Sequence, residues 1–158
     1  MKVLPRAILM GALLAAAAGC GRKPDASVPA GAQLHQSVPP HGGTPIALGD
    51  DYRLELVRDA VAGTLSAYLL DDEMEEFIRI PAPSLSLIAR VGGEDRSLVL
   101  AAVANTATGE TVGNTSLFQG HAEWLRTGEG FDGTLQGLTV RGSAIPPVSF
   151  HFPSGKQD

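Results

Sequence analysis

The sequence predicts an all-β domain, an antiparallel two-sheet β-sandwich, behind a flexible N-terminal tether. Three observations predict this class. Short apolar runs follow one another at close spacing, many of the turns between them contain Gly or Pro, and no long stretch has the periodicity of an amphipathic helix. No internal repeat of fixed period interrupts this pattern.

The first strands are predicted at 45–48, 52–58 and 64–70. Residues 52–58 alternate apolar and charged side chains, which is the period-two pattern of a strand with one solvated face. A turn at 59–63 follows, with Gly63 free to adopt positive φ. The next segment, 64–70, is rich in strand-favouring residues, so the two segments are expected to pair as a hairpin.

The later strands are predicted at 77–80, 85–91, 97–103, 116–123, 135–141 and 148–152. Pro81 and Pro83 end the first of these, which favours an edge strand or a crossing between sheets. Gly92 and Gly93 indicate a hairpin turn between the next two. Trp124 and Leu125 are interpreted as core residues beside the strand at 116–123.

The N-terminal segment has the three parts of a secretory signal peptide, here residues 1–19: a basic start, an apolar stretch and small residues before the cleavage site. Cys20, the only cysteine of the chain, follows directly, and the segment resembles the lipobox of bacterial lipoproteins. The resemblance implies a diacylglycerol thioether on Cys20, acylation with fatty acids such as palmitate, and a membrane anchor without a membrane span. The alternative is an ordinary secretory signal with an incidental cysteine.

The remaining chain divides into a tether at 20–43, a sandwich domain at 44–153 and a short tail at 154–158. The tether is rich in Pro, Gly, Ala and Ser and lacks hydrophobic periodicity. The net charge is −5, and removal of the signal peptide also removes two cations, so nucleic acid is not an expected partner. Gly21 occupies the place where enteric lipoproteins carry an inner-membrane retention aspartate. By that analogy, we expect an outer-membrane lipoprotein facing the periplasm.

The histidines are the first candidates for chemistry. A copper or zinc site would bring His41, at the junction of tether and domain, together with His121 or His151. The alternative is that these histidines, like His35, are surface residues without a ligand role. No cofactor is predicted. The acidic run 71–76 lacks the alternation and turn glycine of a calcium loop, and it is interpreted as a solvated loop.

Catalytic motifs are absent from the sequence. It contains no Gly-x-Ser-x-Gly, no Ser-x-x-Lys, no His-Glu-x-x-His and no phosphate-binding glycine loop. The protein is therefore not expected to be an enzyme. A hydrolase whose site is assembled only in space remains a further hypothesis.

Four segments, 41–44, 52–59, 63–71 and 77–80, resemble a small immunoglobulin-like module of bacterial cell-envelope proteins. Similar segments occur in lipoproteins of unknown function and near the start of some periplasmic adaptors of metal-efflux pumps. The resemblance implies an immunoglobulin-like fold and an envelope setting. The expected function is a lipid-anchored module that binds another envelope protein, and the alternative is periplasmic copper or zinc binding, or an accessory role in efflux.

Overall fold

The structure, a computed structural model, describes residues 38–153. The signal segment 1–19, the lipidation residue Cys20, most of the tether and the tail 154–158 lie outside the described residues.

Ten strands and one 3-10 helix form the described part of the chain. The strands are β1 (Thr44–Ala47), β2 (Tyr52–Asp59), β3 (Thr64–Asp71), β4 (Ser84–Val91), β5 (Glu94–Ala102), β6 (Leu117–His121), β7 (Phe131–Leu135), β8 (Leu138–Val140), β9 (Ser143–Ile145) and β10 (Val148–Phe152), and the 3-10 helix (Glu123–Thr127) follows β6.

Eight of the strands form one antiparallel sheet in the order β1-β2-β3-β6-β5-β4-β7-β10, and β8 pairs with β9 separately. The join between β5 and β6 is short, with Ala101 opposite Gln119 and Ala102 opposite Phe118. The two edge strands, β1 and β10, line one cavity of about 320 Å³. The sheet therefore curls until its edges approach each other, which makes it nearly barrel-like.

The core lies inside this curved sheet. Alternate side chains of the strands point inward, as in the pattern of β4, where every second residue is buried. The largest fully buried side chains come from β2 to β6, from the 3-10 helix and from the segments between strands: Leu48, Leu54, Leu56, Leu65, Leu69, Leu70, Ile78, Ile80, Leu87, Leu100, Phe118 and Leu125. Burying each one contributes about 1.5–3 kcal/mol relative to exposure.

The predicted all-β antiparallel class is confirmed, and so is the hairpin of β2 and β3. The predicted hairpin of β4 and β5 is also confirmed, with Gly92 and Gly93 both at positive φ in the turn. The main strands share one continuous sheet, so the two-sheet, immunoglobulin-like arrangement stays a prediction.

Two strand predictions are wrong. Residues 77–80 form no strand but two isolated bridges, Leu70 with Phe77 and Ile80 with Thr115. The segment crosses from one partner to another, so no ladder of hydrogen bonds develops along it. The predicted strand 135–141 is interrupted: β7 ends at Leu135, and β8 begins at Leu138.

The predicted strand at 116–123 is shorter than expected, because the chain turns into the 3-10 helix after β6. Leu125 on this helix is fully buried, as predicted for a core residue. Trp124 is partly buried and packs edge-on against Phe131, with ring centroids 5.2 Å apart. Within residues 38–153, no helix has the length and apolar character needed to cross a membrane.

Candidate binding site

The turn at residues 41–43 lies against the outer side of β2, and two glycines allow it to do so. Gly42 has a φ of 66°, in the left-handed region that favours glycine. A Cβ on Gly43 would lie 2.4 Å from the carbonyl oxygen of Leu56, so only glycine allows the backbone to come this close. The turn therefore holds His41 directly above β2.

Glu55 is the residue of β2 that binds this turn through hydrogen bonds. Side chains alternate along β2, so Leu54 and Leu56 point into the core and Glu55 points to the opposite face. Its exposure is nevertheless 0%. Its Oε1 accepts hydrogen bonds of 2.8 Å from the backbone N–H groups of His41 and Gly43. Its Oε2 lies 2.8 Å from Nδ1 of the His41 ring, so the carboxylate is fully partnered.

The bond to Glu55 orients the His41 ring. A carboxylate accepts hydrogen bonds, so Nδ1 carries the proton and donates it to Oε2. In the neutral ring Nε2, on the edge away from Glu55, is then an acceptor. Among the residues that the structure describes, none forms a hydrogen bond to Nε2, and the side chain is 36% exposed.

Three aromatic rings cluster beside Glu55. His41 stacks on Tyr68 with the ring centroids 3.8 Å apart, and Phe77 lies 5.8 Å from His41 and 6.2 Å from Tyr68. Tyr68 is directly opposite Glu55 in the pairing of β2 with β3. Burial and the negative charge of Glu55 raise the pKa of Tyr68, despite a hydrogen bond with Ser66. Tyr68 thus stays a neutral phenol.

A second buried carboxylate, Glu110, lies at the polar side of the same site. Its Oε1 accepts hydrogen bonds from the Ser116 hydroxyl at 2.6 Å and the Ser116 N–H at 2.9 Å. Its Oε2 accepts one from Thr108 at 2.7 Å, and Nε of Arg79 lies 3.7 Å from Oε1. Burial raises the pKa of Glu110, but these hydrogen bonds and the Arg79 charge outweigh burial and hold it below the usual range.

These groups enclose a cavity of about 280 Å³, which we call the His41 pocket. It is lined by His41, Tyr68, Phe77, Arg79, Asn105, Thr108, Glu110, Ser116 and Leu117. One side of its lining is aromatic and the other is polar. An aromatic surface with a few convergent polar groups is typical of binding sites.

A larger cavity, of about 610 Å³, lies on the outer face of β4, β7 and β10. Its charged groups form two pairs at 2.9 Å, His151 with Asp132 and Arg90 with Asp95. All four side chains are more than half exposed. Water screens such pairs, so this surface is less organised for binding than the His41 pocket.

The three histidines of the predicted metal site form separate pairs with three different carboxylates. His41 contacts Glu55, His121 lies 3.8 Å from Glu123, and His151 contacts Asp132. No group of three or more His, Cys, Asp or Glu side chains suited to a metal ion occurs between residues 38 and 153.

The comparisons with known proteins add nothing to this geometry: no family model, no curated protein and no solved structure matches the chain.

His41 was the only residue of this pocket that the sequence singled out as a possible ligand. The sequence indicated a solvated face for Glu55, because it alternates with leucines, and did not point to Glu110 or Arg79. The useful signal was the pair of glycines directly after His41, since a turn of this kind can lie closely on a strand. The pair of glycines does not show, however, on which strand the turn packs.

Proposed function

We propose that the protein is a lipid-anchored binding module of the bacterial cell envelope, and that it holds its partner at the His41 pocket. One observation carries this proposal. A partly exposed imidazole, oriented by a fully buried carboxylate, stands at a cavity with an aromatic wall.

The arrangement does more than the turn alone requires. The two backbone N–H groups of the turn are satisfied by Oε1 of Glu55 alone. The second oxygen is used to hold the ring of His41. Burying a carboxylate is costly unless it is fully partnered, and here the partner of the second oxygen is a side chain that lines the pocket.

The proposal includes the anchor and the setting. Lipid on Cys20 and the part of the tether before His41 would hold the domain on the periplasmic side of the outer membrane while it reaches its partner. The finer description of the fold, an immunoglobulin-like sandwich, belongs to the same proposal. It is supported by a core shared between the two halves of the curved sheet.

Photo-crosslinking in cells tests the binding site. A benzoylphenylalanine residue in place of Phe77, which is 45% exposed in the pocket, should form an adduct with one envelope protein. The same residue in place of Val99, which is 60% exposed on β5, is the matched control and should not form that adduct. Identical adducts at both positions, or none at position 77, would contradict the proposal.

Copper or zinc binding is the second candidate function, and the carboxylate–histidine pair favours it. Metal-binding histidines commonly donate their other ring N–H to a carboxylate, as His41 does to Glu55. Titration of the full processed chain with Cu²⁺ and Zn²⁺ tests this function. Stoichiometric binding that is lost in His41→Ala and kept in His151→Ala would support it, and binding unaffected by either change would exclude His41 as the ligand.

A further inference from the structure

We infer that the His41 pocket accepts a tyrosine or tryptophan side chain of the partner, a planar ring with one hydrogen-bond donor at its edge. The inference rests on the proposed function, since it names the group that a binding module would hold in this cavity.

The size of the pocket indicates a single side chain. Cavities for drug-sized ligands range from about 300 to 1,000 Å³. The His41 pocket, at about 280 Å³, lies just below that range. An aromatic side chain is the largest single group that a protein partner can insert, and aromatic anchors in pockets carry much of the energy of protein interfaces.

The aromatic wall favours a planar ring. Phe77 is 45% exposed, and the stacked pair of His41 and Tyr68 lies beside it. Aromatic rings gain about 0.5–1.5 kcal/mol from offset or edge-on packing with one another, beyond the area they bury.

The polar atoms favour a neutral donor. Nε2 of His41 needs a donor, and a phenol O–H or an indole N–H supplies one. Glu55 and Glu110 carry two negative charges against the single positive charge of Arg79, which disfavours an anionic ligand. The oxygens of both carboxylates already accept hydrogen bonds from the protein, so an ammonium group would find few free acceptors.

Binding of three small probes tests the inference. The probes are N-acetyltyrosinamide, N-acetylphenylalaninamide and N-acetyllysinamide, each titrated into the ¹⁵N-labelled chain 20–158 with Cys20→Ser to keep it free of lipid. The readout is the shift of the backbone amide signals of Phe77 and Arg79. We expect the tyrosine probe to bind about fivefold more tightly than the phenylalanine probe, the effect of one net hydrogen bond, and the lysine probe to bind most weakly.

Two variants separate the hydrogen bond from stacking. Glu55→Gln places an amide N–H opposite Nδ1, so the proton of the neutral ring moves to Nε2, which becomes a donor. A fourth probe, N-acetyltryptophanamide, has an indole N–H that only donates, whereas a phenol can also accept. Its affinity should fall about fivefold in Glu55→Gln, the loss of one net hydrogen bond, while the stacked rings remain. In His151→Phe, the control, the affinity for the tryptophan probe should be unchanged, because His151 pairs with Asp132 outside the pocket.

Equal affinities for the tyrosine and phenylalanine probes, tightest binding of the lysine probe, or an affinity for the tryptophan probe that is unchanged in Glu55→Gln would each overturn the inference. An adduct at position 77 together with any of these results would leave the proposed function standing. Absence of both the adduct and the probe-induced shifts would overturn both.

Discussion

Glu55 has no exposed surface, although it lies on the side of β2 that faces away from the core. It is covered by the turn at residues 41–43, and Gly43 makes that cover possible by coming within van der Waals distance of β2. Three residues therefore act together. Gly43 lets the turn lie on β2, and Glu55 accepts the hydrogen bonds that hold the turn and the ring of His41.

Gly43→Ala should destabilise the domain by about 1–3 kcal/mol, because the added Cβ collides with the backbone of β2 and its insertion forces the turn away. The free energy of unfolding in urea measures this. Gly42→Ala is the control, since a Cβ there meets no atom within 4 Å and only its positive φ is penalised, by about 1 kcal/mol. A smaller loss for Gly43→Ala than for Gly42→Ala would contradict the close packing.

His41→Ala should reduce the free energy of unfolding by about 1–3 kcal/mol, because it leaves one oxygen of the buried Glu55 without its hydrogen bond. Urea denaturation at neutral pH measures this change. His151→Ala removes a histidine whose carboxylate partner is exposed and should change stability by no more than about 0.5 kcal/mol. Equal effects of the two substitutions would argue against a special role for the Glu55 contact.

Glu110 should make the domain less stable in acid. Its pKa is below the usual value in the folded chain, so its stabilising contribution is fully present above the unfolded pKa of about 4.3. The contribution is lost as pH falls through the folded pKa. The stability difference between wild type and Glu110→Gln, measured by denaturation at pH ~7 and pH ~3, should therefore narrow at the lower pH. A constant difference would show that Glu110 titrates alike in both states.

At the scale of the elements, the 3-10 helix after β6 positions core residues that a continued strand would have placed elsewhere. The helix ends at Gly128, whose φ of 77° is a left-handed conformation that does not continue a helix. Leu125 points inward from it and joins the same buried cluster as the strands.

Leu125→Ala should cost about 2–5 kcal/mol, the usual range for a buried leucine that leaves a cavity. Thermal or urea unfolding followed by circular dichroism measures it. Val61, which is 86% exposed, provides the control: Val61→Ala should be nearly neutral. A Leu125→Ala protein as stable as wild type would mean that packing of the 3-10 helix against the core does not stabilise the domain.

At the scale of the whole molecule, the proposal gives the described domain and the predicted anchor separate roles. A lipid on Cys20 would keep the protein at the membrane, and the curved sheet would present the His41 pocket. The domain at 44–153 carries more acidic than basic residues, so it should be repelled by an anionic bilayer surface.

Cys20→Ser should release the protein from the membrane fraction into the soluble periplasm, because it removes the sulfur that would carry the lipid. Fractionation of cells and intact-mass measurement of the wild-type chain test this together. The wild type should show the mass of a diacylglycerol and a further acyl chain. An unmodified thiol in the wild type would disprove the anchor.

Local patterns in the sequence were enough to predict several parts of the fold. Alternation in 52–58 and strand-favouring residues in 64–70, with Gly63 between them, predicted the first hairpin, and Gly92 with Gly93 predicted the second. Such features depend on neighbours in sequence, because side-chain period and turn chemistry are local properties. The strand prediction at 77–80 was wrong because its hydrogen bonds go to two partners distant in sequence.

The sequence by itself therefore determined the all-β class, the main hairpins and the alternation along β2. Only the tertiary structure decided that Glu55 is buried, that His41 stacks on Tyr68, and that Glu110 and Arg79 border the same pocket. The physical reason is that periodicity shows which face of a strand a side chain occupies, whereas burial of a polar face depends on what the rest of the chain places over it.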